Sequence, residues 1–121
     1  QISMVCAGTR DAFNAIQSDP QLANRFSPKP LEKWKKGKDY LRLLASFERL
    51  LPLKEPSQLI ESSMAKKILT MSEGLIGEIS HILELSSILA IESGVEKINK
   101  NILNNIDYHS PSERKTLINK V

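Results

Sequence analysis

Residues 27–38 cannot form a helix, and that exclusion divides the chain. Pro28 and Pro30 stand two apart and Gly37 closes the stretch. Each proline lacks a backbone N–H and biases the residue before it away from helical angles. Leu31 and Trp34 are the apolar anchors here, so an extended segment is expected, with an edge strand near residues 31–34 and then a linker. Upstream, Ile2, Met4, Val5 and Cys6 make a short apolar run that Gly8 ends, the pattern of an interior strand. Thr9 or Asp11 can cap a helix through Ala12, Phe13 and Ile16. Asp19 is the expected cap of a second short helix, with Pro20 at its first position. The opening residues have no basic leader region and no cleavage site, and they read as the interior of a longer protein.

From Asp39 the pattern is helical. Tyr40, Leu43, Leu44, Phe47, Leu50 and Leu51 follow i, i+3, i+4, i+7 spacing until Pro52 stops them. After a connector, Ser62 or Ser63 is the expected cap of a helix through Met64, Ile68, Leu69 and Met71, which Gly74 is placed to end. The longest helix spans residues 75–93. Its stripe is Leu75, Ile79, Ile82, Leu83, Ser86 and Leu89 or Ala90, and Gly94 closes it. Asn99 caps a helix through Ile102 and Leu103, with Ile98 as a hydrophobic staple. Ser110, Pro111 and Glu113 spell a capping box for a last, exposed helix. The fold class is therefore mainly α. One or two short strands with a small helix occupy residues 1–38, and a helical unit occupies residues 39–121.

Of the 121 residues, 40% are apolar but only 5% aromatic, so Leu and Ile must fill the core. With 17 basic and 14 acidic residues the net charge is +3, which permits nucleic-acid contact without demanding it. No apolar run approaches the roughly 18 residues of a membrane span. The single cysteine, Cys6, excludes an intrachain disulfide framework and points to a reducing cytoplasm. In an apolar run it reads as an inert core thiol.

Enzyme constellations are thin. His81 and His109 are the only histidines, and only Glu84, three residues after His81, stands at ligand spacing. Two ligands fall short of the usual three or four, so a resident metal is not expected. A phosphate loop of the form G-x-x-x-x-G-K-[ST] does not occur, so these residues by themselves should hydrolyse nothing. Three features each carry two readings. Thr9, after the apolar run, is either a helix cap or a hydroxyl that holds a water or a phosphate oxygen at a strand end. Arg25 is either an ordinary surface arginine or a cation projected to a neighbouring subunit's phosphates. Lys33, Lys35, Lys36 and Lys38, interleaved with Trp34 and Tyr40, are either a phosphate-contacting stripe or a solvated linker with its aromatics in the core.

Several stretches together resemble a known family. They are Val5-Cys6-Ala7-Gly8-Thr9-Arg10-Asp11-Ala12, residues 16–26 from Ile16 through Asp19-Pro20 to Arg25-Phe26, and Leu43-Leu44-Ala45-Ser46-Phe47-Glu48-Arg49-Leu50-Leu51-Pro52-Leu53. Residues 69–94, with Ser72-Glu73-Gly74-Leu75 and Ala90-Ile91-Glu92-Ser93-Gly94, belong to the same pattern. It resembles the TniB family, AAA+ ATPases of bacterial transposons related to the Mu-phage B protein and the TnsC regulators. The resemblance implies the C-terminal half of an AAA+ module. Residues 2–9 would be the sensor-1 strand, with Thr9 facing the γ-phosphate. Arg25 would be the trans-acting arginine finger, and residues 39–107 would form the lid over the nucleotide. ATP and Mg2+ are implied for the full-length parent and none for the fragment. The implied partners are further copies of the chain, duplex DNA and a DDE-type transposase, with Lys33, Lys35, Lys36 and Lys38 as at best an auxiliary DNA contact. The lid's usual basic sensor-2 residue has no counterpart at residues 74–81. A sensor-1 strand without its sheet neighbour would have an unpaired edge, so residues 2–9 are expected to dimerise the fragment or to rearrange. The rival reading is a helical DNA- or protein-binding module without nucleotide chemistry. It rests on the helix–Gly74–helix pattern, which imitates a helix-turn-helix.

Overall fold

The computed structural model describes residues 2–120. Among them are seven helices: α1 (Arg10–Gln17), α2 (Pro20–Arg25), α3 (Lys38–Leu50), α4 (Ser62–Ser72), α5 (Ile76–Ser93), α6 (Lys100–Asn105) and α7 (Pro111–Asn119). They belong to two compact units, Gln1–Leu31 and Glu32–Val121.

In the first unit α1 and α2 pack on each other. A Cβ at Gly8 would lie 2.8 Å from the Ala12 Cβ, so the chain's entry into α1 takes a path that a side chain would block. The Asp19 carboxylate accepts the Gln21 N–H at 2.9 Å with Pro20 at the first position, as its spacing requires. The expected strands are absent among the described residues: 2–9 and 31–34 carry no ladder. An extended segment needs a neighbouring strand to satisfy its backbone N–H and C=O groups, and none is present. Ile2 and Val5 are accordingly 93% exposed, Leu31 is fully exposed, and Cys6 is at the surface rather than in a core.

The second unit has an aliphatic core. Tyr40 and Leu44 of α3, Met64, Ala65 and Ile68 of α4, and Ile79, Ile82, Leu83 and Ala90 of α5 are buried with Leu59, Ile98, Ile102 and Leu103. The stripe predicted for α5 is buried except at its ends, where Leu75 is exposed and Leu89 only half-buried. Trp34 packs against this core. The Tyr40 hydroxyl donates to the Ala65 carbonyl at 2.6 Å, and burial pushes its pKa up to about 12. The connector between α3 and α4 is pinned by polar contacts. Ser57 Oγ accepts the Ile98 N–H at 2.8 Å, and the Glu48 carboxylate accepts the Leu59 N–H at 3.3 Å. Neither Ser62 nor Ser63 caps α4. Glu61 holds the cap position without a side-chain bond, and the Ser63 hydroxyl donates to the Glu61 carboxylate instead. Asn99 caps α6 through the Ile102 N–H at 2.8 Å, and the Ser110–Glu113 capping box at α7 is complete.

The turn between α4 and α5 redirects the chain by 116°. Glu73 and Gly74 both adopt left-handed angles, with φ of 53° and 76°. The Gly74 carbonyl accepts the Trp34 N–H at 2.7 Å. A Cβ at Gly74 would come within 2.5 Å of the Trp34 carbonyl oxygen. Glycine is required there twice, by backbone angle and by approach. No single helix among the described residues is long and apolar enough to cross a membrane. Gly74→Ala should destabilise the second unit by about 1–3 kcal/mol in chemical denaturation, from left-handed strain plus loss of the Trp34 contact. An unchanged midpoint would show that the turn does not constrain the unit.

Candidate functional site

In the first unit Thr9 occupies the N-cap position of α1 in an extended conformation. Its carbonyl accepts the Phe13 N–H at 3.1 Å, but its hydroxyl makes no capping bond. The side chain is thus exposed and uncommitted. Arg25 is the last residue of α2. It is exposed, and among the described residues it has no ion-pair partner. Both side chains therefore stand open to solvent, with hydrogen-bonding groups unused among the described residues.

In the second unit Lys33, Lys35, Lys36 and Lys38 are exposed and border a shallow groove that runs from Glu32 to Tyr40. Lys35 pairs with Glu32 at 3.8 Å and Arg42 with Asp39 at 3.7 Å, at positions too solvated to contribute much. The two interleaved aromatics face inward. Tyr40 is buried and Trp34 half-buried against the core. They offer no stacking platform for bases, so this segment presents charge alone.

Sequence reasoning missed a polar cluster that joins the α4–α5 turn to α7. The Glu73 carboxylate accepts the Ser112 N–H at 3.0 Å and the Ser112 hydroxyl at 2.8 Å. The Glu78 carboxylate accepts from the Arg114 guanidinium and, at 2.7 Å, from the Tyr108 hydroxyl. The bonds from Ser112 hold the Glu73 carboxyl below its ordinary range. The Arg114 guanidinium, with Tyr108, does the same for Glu78. Burial, then the adjacent Glu78, raises the Tyr108 phenol. The capping box marked where α7 begins, but nothing local signalled that Glu73, 39 residues before Ser112, would hold it.

The first turn of α5 bears no Lys or Arg of its own, and the guanidinium found there comes from α7 and is engaged by Glu78. His81 is exposed, its ring 6.1 Å from that of Tyr108. No group of three metal-ligating side chains is assembled among the described residues. The α4–α5 pair has the outline of a helix-turn-helix, with a glycine turn and a steep crossing. Its second helix, however, carries Glu78, Glu84 and Glu92 and no Lys or Arg to meet a phosphate.

Both lowered carboxyls stabilise the docked α7 fully above the ordinary glutamate value near pH 4, and that contribution is lost as pH falls through the lowered values. NMR titration should therefore find Glu73 and Glu78 titrating below the solvated glutamates, with α7 loosening over the same acidic range. Ordinary values for both would mean that the cluster is not formed in solution.

Residues 1–36 match the family described as bacterial TniB protein. The matched stretch contains Thr9, Arg25, Lys33, Lys35 and Lys36 and stops before Lys38. The resemblance noted over residues 43–53 and 69–94 lies outside it. Comparisons with curated proteins and with solved structures return no match.

Proposed function

We propose that this chain serves DNA transposition, as part of an ATP-dependent regulator that assembles on duplex DNA and recruits or stimulates a DDE-type transposase. The observation that carries the reading is the TniB match over residues 1–36, which spans both Thr9 and Arg25. In this reading residues 1–38 complete the core of an AAA+ module and residues 39–121 form its lid. The phosphate loop and the acids that hold Mg2+ come from sequence outside residues 1–121. Phosphoryl transfer needs mainly positioned charge and hydrogen bonds. The Thr9 hydroxyl, free of the helix cap, suits a sensor of the γ-phosphate. The Arg25 guanidinium, with no carboxylate against it among the described residues, suits a finger reaching the site of the next copy, which would couple turnover to self-assembly. Lys33, Lys35, Lys36 and Lys38 add a weak, salt-sensitive contact to the DNA backbone. In this reading the protein acts in the cytoplasm.

ATP turnover by the whole gene product with duplex DNA tests the reading. Arg25→Ala should lower turnover by about a thousandfold, in the range of arginine-finger effects, while ATP binding persists. A gene product that binds no ATP overturns it and leaves a helical partner-binding module.

A further inference from the structure

The last helix is fastened to its unit differently from its neighbours. Helices α3, α4, α5 and α6 each bury side chains in the core, whereas α7 buries none. Leu117 is half-exposed and Ile118 72% exposed, and neither packs against the core. Nine residues are also too few to hold a helix in water unaided, since roughly 12–15 are needed even in favourable sequences. What keeps α7 in place is therefore polar and confined to its first turn. Glu73 accepts from the Ser112 N–H and hydroxyl, and Glu78 accepts from Arg114. Both carboxylates come from the α4–α5 turn and the start of α5, on the far side of a sequence gap from α7.

We propose that α7 is a strap latched by Glu73 and Glu78, which opens as a unit about residues 109–110 while helices α3–α6 stay folded. The position of the hinge follows from Tyr108. That residue is half-buried against the core, and its hydroxyl lies 2.7 Å from the Glu78 carboxylate and 3.2 Å from the Met71 carbonyl. The phenol has one proton and two acceptors within reach. When Arg114 leaves, Tyr108 still donates to Glu78, so opening does not strand a bare carboxylate in a partly covered site. His109 and Ser110 then lie between an anchored residue and a detachable helix. The His109 contact to Glu113, at 3.9 Å, joins the hinge to the strap and does not hold the strap to the core.

The other groups that face the two carboxylates do not replace the latch. The Ser110 side chain also lies against the Glu73 carboxylate, at the hinge end of the strap, and parts from it as the strap opens; Lys33, before α3, and His81, on α5, contribute only at longer range. The latch is accessible to water, with the Arg114 side chain 47% exposed, so dissolved ions compete with it as they do not with a buried core. Opening uncovers Glu73 and frees Arg114, which joins the already exposed Lys115 and Lys120. The strap thereby exchanges an internally paired surface for an acidic turn and a mobile basic arm. This inference rests on the second unit alone and does not depend on the transposition reading.

Hydrogen–deuterium exchange of the full chain, resolved by residue, tests it. Amides 115–119 should exchange at least about a hundredfold faster than interior amides of α5, the mark of an independently opening segment. In Glu73→Gln/Glu78→Gln, exchange in α7 should rise about tenfold further, while α5 rates stay as in wild type. Raising the salt concentration of the wild type should move α7 in the same direction. The proposal is overturned if wild-type α7 is protected as strongly as α5. It is equally overturned if the double variant leaves α7 unchanged or accelerates α5 and α7 by the same factor.

Discussion

One backbone hydrogen bond, from the Trp34 N–H to the Gly74 carbonyl, sits where the second unit is assembled. It exists because α4 ends in two consecutive left-handed residues, and the second has no Cβ to strike the Trp34 carbonyl. Through it the segment before α3 is held against the turn between α4 and α5. Trp34 is thereby committed to the core, and its flanking lysines are left in solvent. Glu73 in the same turn reaches α7, and Glu78, a few residues on, reaches both Tyr108 and Arg114. A 116° change of direction thus becomes the point where the N-terminal and C-terminal parts of the unit meet α4 and α5.

The unit is consequently built in two grades. Its interior is aliphatic and non-directional, with Leu and Ile from four helices and buried hydroxyls drawn in beside them. The Ser87 hydroxyl finds the Leu83 carbonyl at 2.8 Å, whereas the Ser86 hydroxyl has no protein partner. The rim is polar and directional, made of carboxylates on backbone N–H groups, hydroxyls and a guanidinium. Burial resists salt, and solvated ion pairs do not. The division between a stable core and a conditional edge follows from that chemistry rather than from the number of contacts.

Most helices were legible in the sequence, for local reasons. Asp19, Asn99 and Ser110 cap where their spacing places them, and the α5 stripe from Ile79 to Ala90 is buried. The failures are non-local. Residues 2–9 have the composition of a strand, but a strand is made by its neighbour, and without one Ile2, Val5 and Cys6 face water. Glu61 displaced the serines at the start of α4, where a cap was offered by type but not taken by geometry. The Glu73–Ser112 contact spans 39 residues and had no local signal. As to the candidate site, Thr9 and Arg25 stood out through family resemblance, which the TniB match at residues 1–36 supports. Neither is marked by burial or, among the described residues, by a partner.

In the proposed function, two exposed side chains, Thr9 and Arg25, would act together only when another copy of the chain completes the site. The most direct measurement is ATP turnover by a mixture of two inactive gene products, Thr9→Ala and Arg25→Ala, on duplex DNA. The account predicts that each is inactive alone and that mixing restores turnover, because some sites then receive an intact Thr9 from one copy and an intact Arg25 from the next. A mixture as inactive as its components would contradict action across a subunit interface.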